Sequence, residues 1–222
     1  MRELKPDERL IVDFILESDA IENIFSDPDY VVRRVVQKQQ KGHIGALLAL
    51  EILANDPQNN YVDKNLVCNI QKLIVEEQSE KGQRMLQQDQ VGQYRKISVW
   101  IVHEGEKIFL VPPEEIENKM AALLAWTRWL QENARFSSEE TNIARIASFH
   151  YRFLLIHPFA DGNGRTARAL TYYLMQSSCI VPFVFTFHDK HEKYYPCFRY
   201  PNSHLMEEYF KEKYQESQKG GR

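Results

Sequence analysis

The stretch His157-Pro158-Phe159-Ala160-Asp161-Gly162-Asn163-Gly164-Arg165-Thr166-Ala167-Arg168 gathers an imidazole, a carboxylate, two glycines and two guanidiniums. An imidazole with an unperturbed pKa near ~6.5 can take a proton at neutral pH. A carboxylate can hold a hard divalent cation. Gly162 and Gly164 let the backbone turn sharply and bring its N–H groups close to a ligand, and the residues from Thr166 onward read as the first turns of a helix. Unpaired amides, the positive end of that helix and the side chains of Arg165 and Arg168 then face an anion together. The chemistry these residues suit is the handling of a phosphate group, with a proton acceptor at the edge of the site.

Competing readings of the loop fit less well. A dinucleotide fingerprint over Gly162-x-Gly164-x-x-Ala167 needs a preceding strand, here Phe153 to Ile156, and repeated strand-helix-strand units that the flanks do not provide. Instead Ser137-Ser138-Glu139-Glu140 reads as a capping box, and Ile143, Ile146, Ala147, Phe149, Phe153 and Leu154 recur at helical intervals across Thr141 to Ile156. The loop therefore joins two helices. A plain solvated turn leaves unexplained why His157, Asp161 and both arginines occur together. No Gly-Lys-Ser/Thr follows the glycines, which removes a Walker loop.

H-P-F-x-D-G-N-G-R-x-x-R is the signature of Fic-domain proteins, and every specified position of it is met between His157 and Arg168. The chain thus resembles a family most of whose members transfer AMP from ATP to a protein hydroxyl. The resemblance implies that His157 is the general base acting on a Ser, Thr or Tyr hydroxyl of the target. It implies that Asp161 holds Mg²⁺ against the phosphates, that Gly162, Asn163 and Gly164 form an anion cradle, and that Arg165 and Arg168 neutralise the leaving pyrophosphate. Pro158 and Phe159 are expected to shape and anchor the loop. Tyr195 and Asn202 resemble the tyrosine and asparagine that line the nucleotide base side in some Fic proteins; packing of Tyr195, Phe198 and Tyr200 between the last helices is the competing reading.

Two further segments extend the resemblance. Ile97 to Val102 and Lys107 to Val111 are β-branched and aromatic runs on either side of His103-Glu104-Gly105-Glu106, so they read as a hairpin. In Fic proteins such a hairpin, the flap, covers the active site and aligns the target by strand-like pairing, and Gly92-x-Tyr94-Arg95 matches the G-x-Y-R that commonly precedes it. Near the N-terminus, Ser18-Asp19-Ala20-Ile21-Glu22-Asn23 matches the inhibitory pattern [ST]-x-x-x-E-[GN] of the family. Ser18 and Glu22 lie four apart, hence on one face of a helix. The resemblance implies that Glu22 pairs with Arg168 and keeps ATP from seating its γ-phosphate, because a carboxylate in a guanidinium fork competes with phosphate for the same donors. This is the arrangement called class II.

The elements that must position these residues read as mostly helical. Leu10, Ile11, Phe14 and Ile15 give an amphipathic first helix after Pro6-Asp7, and a second starts near Asp27-Pro28 and runs through Val31, Val32, Val35 and Val36. Gly42 and Gly45 interrupt the chain or allow close packing before a helix over Ala46 to Ala54, stopped by Asn55-Asp56-Pro57. Leu66 to Glu77 and Glu114 to Leu130 are further helices. Gln78 to Gln93 reads as a mobile loop and Lys219 to Arg222 as a disordered tail. Trp126, Trp129 and Leu130 share a helical spacing that suits core or interface. His188-x-x-His191, with Asp189 and Glu192, lacks further placed ligands and reads as surface rather than metal site.

Composition narrows the classes. The chain has 222 residues and a net charge of −3, so it can bury a substantial core and has no basic field for nucleic acid. Cys68, Cys179 and Cys197 are scattered thiols without zinc spacing, which suits a reducing compartment. No apolar run approaches the roughly 20 residues of a membrane span, nor does Leu10 to Leu16 make a signal peptide. The expectation is a soluble cytoplasmic protein with no nucleic-acid or membrane partner, and a possible homodimer by family habit.

Together these readings predict an all-α Fic-fold helical bundle with a β-hairpin flap. Residues 1–80 form N-terminal helices including the inhibitory one, 81–200 the catalytic core with its flap at about 95–113, and 201–222 a C-terminal helix and tail. The expected activity is protein adenylyltransfer, using Mg²⁺ and ATP on a target hydroxyl presented at the flap. Three alternatives stay open: removal of AMP from a modified protein, transfer of another phosphate-containing group, and a non-catalytic interaction protein gated by nucleotide.

Overall fold

The computed structural model describes residues 3–56, 60–80, 86–103, 106–199 and 203–220. Eight helices of four residues' hydrogen-bond spacing carry the described fold: α1 (Pro6–Ile21), α2 (Pro28–Val36), α3 (Gly42–Ala54), α4 (Lys64–Glu80), α5 (Pro113–Asn133), α6 (Glu139–Ile156), α7 (Asn163–Ser177) and α8 (His204–Gly220). A two-stranded antiparallel hairpin, β1 (Trp100–His103) and β2 (Glu106–Phe109), interrupts the series. This is the all-α architecture that the periodicity predicts.

Local signals start these helices where the chain chemistry requires. Pro6, Pro28 and Pro113 each stand in a first turn, where a missing N–H costs nothing. Asp27 caps α2 by accepting the N–H of Asp29 at 3.0 Å, and Ser138 caps α6 by accepting that of Thr141 at 3.3 Å. α3 begins at Gly42, whose φ of 68° a side chain would resist. At Gly45 a Cβ would meet the carbonyl carbon of Gln40 at 2.4 Å, so this glycine serves close packing and does not interrupt the helix.

α7 is the centre of the bundle. It packs against α1, α3, α4 and α6, and α6 in turn carries α5 and α8 on its other faces. Leu170, Tyr173 and Leu174 of α7 join Phe14, Leu47, Phe149 and Phe153 in one apolar core, and burial of such side chains stabilises by about 1.5–3 kcal/mol each. The N-terminal half of α7 nevertheless buries Asn163, Arg165, Thr166 and Arg168. Polar groups are expensive there unless partnered, which marks that end of the helix as a place selected for something besides packing.

Several expectations are corrected. The hairpin strands are shorter than the β-branched runs, because the carbonyls of Ile97 and Val111 are taken by Arg95, at 2.7 and 2.6 Å, and are withdrawn from the ladder. The register runs Trp100 to Phe109 through His103 to Glu106; Glu104 and Gly105 fall outside the described residues. The glutamine-rich stretch is not all loop: α4 continues to Glu80 and a 3-10 turn spans Gln88–Gln90; residues 81–85 fall outside the described set. α8 extends through Lys219 to Gly220, beyond the expected start of the tail. Trp129 is half exposed, its ring covered by the Arg145 guanidinium 4.8 Å from the centroid, so of the two readings, core or interface, the core one does not hold for it.

Candidate active site

The loop between α6 and α7 is built around two residues in left-handed backbone. His157 ends α6 with φ 51° and ψ 61°, and Gly162 caps α7 with φ 80° and ψ 6°. Gly162 suits that conformation; a histidine there is strained by about 1–2 kcal/mol, a cost that surrounding contacts must hold. They do so from both sides. Asn163 accepts the N–H of Phe159 at 2.9 Å and donates to its carbonyl at 2.8 Å, which closes the loop on itself. Phe159 is fully buried beside Phe153 and Tyr94. Gln71 of α4 donates to the Asp161 carbonyl at 3.1 Å and accepts the N–H of Gly92 at 2.6 Å.

Arg95 ties this loop to the hairpin. Its guanidinium donates to the carbonyls of His157 (2.8 Å), Ile97 (2.7 Å) and Val111 (2.6 Å), with a longer contact to Ile156 (3.4 Å), and its own N–H donates to the Pro158 carbonyl at 2.8 Å. Arg95 is 3 % exposed. The carbonyls hold a buried cation and the cation in turn fixes where the hairpin leaves the bundle.

His157 Nδ1 lies 3.2 Å from the Leu154 carbonyl. A carbonyl only accepts, so the ring proton sits on Nδ1 and the lone pair of the neutral ring is on Nε2. Burial holds the imidazole below its ordinary value of 6.5 against the opposing pull of the Leu154 hydrogen bond, with Arg95 adding to the depression and Glu22 and Asp161 opposing it. The ring is therefore neutral and able to accept a proton at pH 7.

Glu22, the residue that caps the C-terminus of α1, reaches the opposite end of this site. Its Oε1 accepts from Arg168 Nη2 at 2.8 Å. The same oxygen stands 2.2 Å from where a Cβ on Gly164 would lie, so the carboxylate rests directly against the N-terminal turn of α7. Arg168 also donates from Nε to Ser18 Oγ (2.8 Å) and from Nη2 to the Ser18 carbonyl (2.9 Å). Burial alone would raise the Glu22 carboxyl, but Arg168, Arg165 and Lys190 outweigh it and hold the group below its ordinary 4.5. One carboxylate thus sits among three cations at the positive end of a helix.

α1 is anchored to the site by more than this pair. Asp19, buried, lies 2.9 Å from His43 Nδ1 on α3. Burial pushes the Asp19 carboxyl up, while His43, Arg165 and Arg168 pull it lower than its ordinary value on balance. Asn23, in left-handed conformation just past the helix, accepts from Lys190 Nζ at 2.9 Å. Glu17 accepts the Phe187 N–H at 2.6 Å. Beneath Arg168, His150 bridges Thr171 Oγ1 (2.9 Å) and Tyr194 Oη (2.7 Å), and complete burial pushes its pKa down to about 3, so it is a neutral core strut.

The structure thus brings Ser18, Glu22, His157, Asp161, Gly162, Asn163, Gly164, Arg165 and Arg168 to one end of α7. Asp161 is partly exposed, with Oδ1 accepting the N–H of Gly162 at 2.7 Å. The Asn163 side chain is spent on Phe159, which leaves only its backbone for a cradle. Tyr195, 41 % exposed, lies near enough that Glu22 and Arg168 both perturb its hydroxyl, after burial, which raises it. Asn202 falls outside the described residues. His188, Asp189, His191 and Glu192 do not gather around a metal position: Asp189 instead pairs with Thr186 Oγ1 (2.7 Å) and Lys213 Nζ (3.0 Å). The reading from sequence missed Gln71, the Asp19–His43 pair and Lys190, none of which stands at a specified position of a motif, and saw Arg95 only as part of G-x-Y-R.

Comparison with known proteins bears on the family and the fold. Residues 61–175 match the Fic/DOC family. A protein named Protein adenylyltransferase Fic from Nematostella vectensis is 29% identical over 153 residues, covering 65% of this chain and 32% of its own length. A protein named Uridine 5′-monophosphate transferase from Xanthomonas campestris pv. campestris (strain 8004) is 29% identical over 93 residues, 41% of this chain and 17% of its own. The solved structure of Fic-1 (aa134–508) from C. elegans superposes with a TM-score of 0.68 on 98% of this chain and 64% of its own, at 17% identity, and so bears on fold alone. The chain spans about a third or less of the length of these curated relatives.

Proposed function

The chain belongs to the Fic/DOC family, and from that premise we propose that it is a protein adenylyltransferase held in check by its own first helix. The observation that carries the reading is the pairing of His157, whose Nε2 lone pair is available, with an amide turn at Gly162–Gly164 flanked by Arg165 and Arg168. A target hydroxyl gives its proton to His157 Nε2 as its oxygen attacks the α-phosphorus of ATP. The bond to the bridging oxygen breaks, and pyrophosphate leaves toward the cations and amides that stabilise its charge. Tyr195 and Asn202 are assigned to the nucleotide side, and the hairpin to alignment of the target strand. In this division residues 1–80 restrain, 81–200 catalyse and 201–222 complete the bundle.

Asp161 suits Mg²⁺ shared with the nucleotide. It offers a hard oxygen beside the cradle, and among the described residues no group of three or more His, Cys, Asp or Glu could hold a metal by itself. The ion supplies charge neutralisation on the phosphates. Glu22 takes the position of a phosphate on Arg168 and against Gly164, so that the nucleotide and the carboxylate compete for one place. The relative named for uridine 5′-monophosphate supports a second reading, UMP transfer, because an amide cradle reads phosphates and not bases.

The test incubates wild type, Glu22→Gly and Glu22→Gly/His157→Ala with α-labelled ATP or UTP and Mg²⁺. Strong labelling of protein by ATP in Glu22→Gly, absent from the double variant, is the expected result. Labelling from UTP alone selects the second reading, and full labelling without His157 overturns both.

A further inference from the structure

Lys190 is the feature the site leaves unexplained. It lies in the single widened turn Lys190–Tyr194 and is 4 % exposed, an unusual burial for an ammonium. Burying a charge is costly unless it is paired and hydrogen-bonded. The acceptor found for Lys190 Nζ is the Asn23 side-chain oxygen, a neutral amide, at 2.9 Å. The rings of Phe187 and Tyr195 lie with centroids 5.5 and 5.7 Å from Nζ, which adds cation–π attraction but no hydrogen bond. An ammonium has three donors, and one amide oxygen uses one of them.

The Asn23 that holds Lys190 directly follows Glu22, and Lys190 is the smallest of the three cationic contributions, after Arg168 and Arg165, that hold the Glu22 carboxyl low. That carboxylate is the one which, in the function proposed above, gives way to the nucleotide. Once Glu22 withdraws, Lys190 is a buried cation beside a neutral amide and two rings, held by the residue next to the position the carboxylate leaves. We propose that Lys190 is a nucleotide-binding residue that donates to the polyphosphate at the end which replaces the Glu22 carboxylate. It keeps its hold on Asn23 with one N–H and uses another for phosphate oxygen, so the group that ties down the inhibitory segment also receives the ligand that displaces it. Neither the loop signature nor the spacing of the sequence singles out this lysine. It enters the site from the segment that also carries Tyr195.

This inference rests on the adenylyltransferase reading, and the test keeps the two apart. Dissociation constants for ATP and AMP are measured with Mg²⁺ by calorimetry in Glu22→Gly, alone and combined with Lys190→Met or Lys190→Arg. Methionine keeps the aliphatic stem and packing but removes the charge; each variant is checked for an unchanged melting transition. Lys190→Met is expected to weaken ATP about tenfold, the loss of one charge-assisted hydrogen bond, and to leave AMP within about twofold, with Lys190→Arg recovering much of the ATP affinity. Should Lys190→Met unfold the protein, the comparison of Glu22→Gly with Lys190→Arg and Lys190→Gln serves instead, the glutamine expected to reproduce the selective loss. Equal affinity for ATP with and without the charge overturns the proposal, and so does an equal weakening of ATP and AMP, which makes Lys190 a support for Tyr195. Absence of ATP binding in Glu22→Gly itself is a different failure, that of the proposed function.

Discussion

The loop carrying His157 and the hairpin β1–β2 meet at Arg95 but are held in opposite ways. The loop is fixed from every direction: Asn163 closes it on Phe159, Gln71 grips the Asp161 carbonyl, and Phe159 is sunk in the core. The hairpin has one two-stranded ladder; Trp100 and Ile101 of its first strand are 47 and 40 % exposed, and Ile97 just before it is 50 % exposed. Lys107 Nζ lies 4.6 Å from the centre of the Trp100 ring, a contact within the hairpin itself. The difference teaches where rigidity is needed. On the proposed function, charge stabilisation requires donors that do not reorganise during the reaction, whereas a hairpin that aligns a target strand keeps edges and apolar side chains open.

The largest effect falls on the rigid side. In the Glu22→Gly background, His157→Ala is expected to lower the labelling rate by about 10²–10⁴-fold with ATP affinity nearly unchanged, the range for loss of a positioned base. A parallel loss of ATP binding would place His157 in binding and not in proton transfer. Next comes the joint between the regions. Arg95→Ala orphans buried carbonyls on both, and at ~1–3 kcal/mol for each unsatisfied group it should destabilise the fold by about 3 kcal/mol or more in denaturant melts. Lysine cannot reach carbonyls on loop and hairpin at once, so Arg95→Lys should recover little.

Acid sharpens the same contrast within the site. Because the folded His157 pKa lies below 6.5, labelling by Glu22→Gly should persist through that value and fall only as pH drops through the depressed one. Glu22 is depressed as well, so the stabilisation its ion pair gives is present above 4.5 and is lost as pH falls through a lower value. Inhibition should therefore persist in wild type as pH falls to 4.5 and be lost only below it. Release of wild-type labelling above pH 4.5 would contradict this. The smallest effect on stability belongs to the open region: Trp100→Ala and Ile101→Ala should shift unfolding by no more than about 0.5 kcal/mol. Their effect should appear instead as slower labelling of a target protein at unchanged ATP affinity.

Much of the fold was legible because its signals are local. Pro28 after Asp27, Ser138 before Glu139 and the apolar spacing of Leu10, Ile11, Phe14 and Ile15 each determine a helix from within one turn or two. Where local propensity met a tertiary competitor it was modified: Ile97 reads as strand by its side chain, yet Arg95 removes its carbonyl from the ladder. Trp129 and Leu130 both keep a helical spacing from Trp126, yet Leu130 is buried and Trp129 is exposed.

The chemistry divides along the same line. By itself the sequence determined the contents of the loop, because an imidazole, a carboxylate, an amide turn and two guanidiniums within one connection act over distances that the chain spacing sets. Only the tertiary structure decided what faces them. Glu22 meets Arg168 across 146 residues, and Arg95 meets His157 across 62. Lys190 reaches Asn23 across 167. Such meetings depend on how α1 and the 186–195 segment pack against α7, and packing angles are fixed by the whole core, for which no periodicity in a single segment is a code.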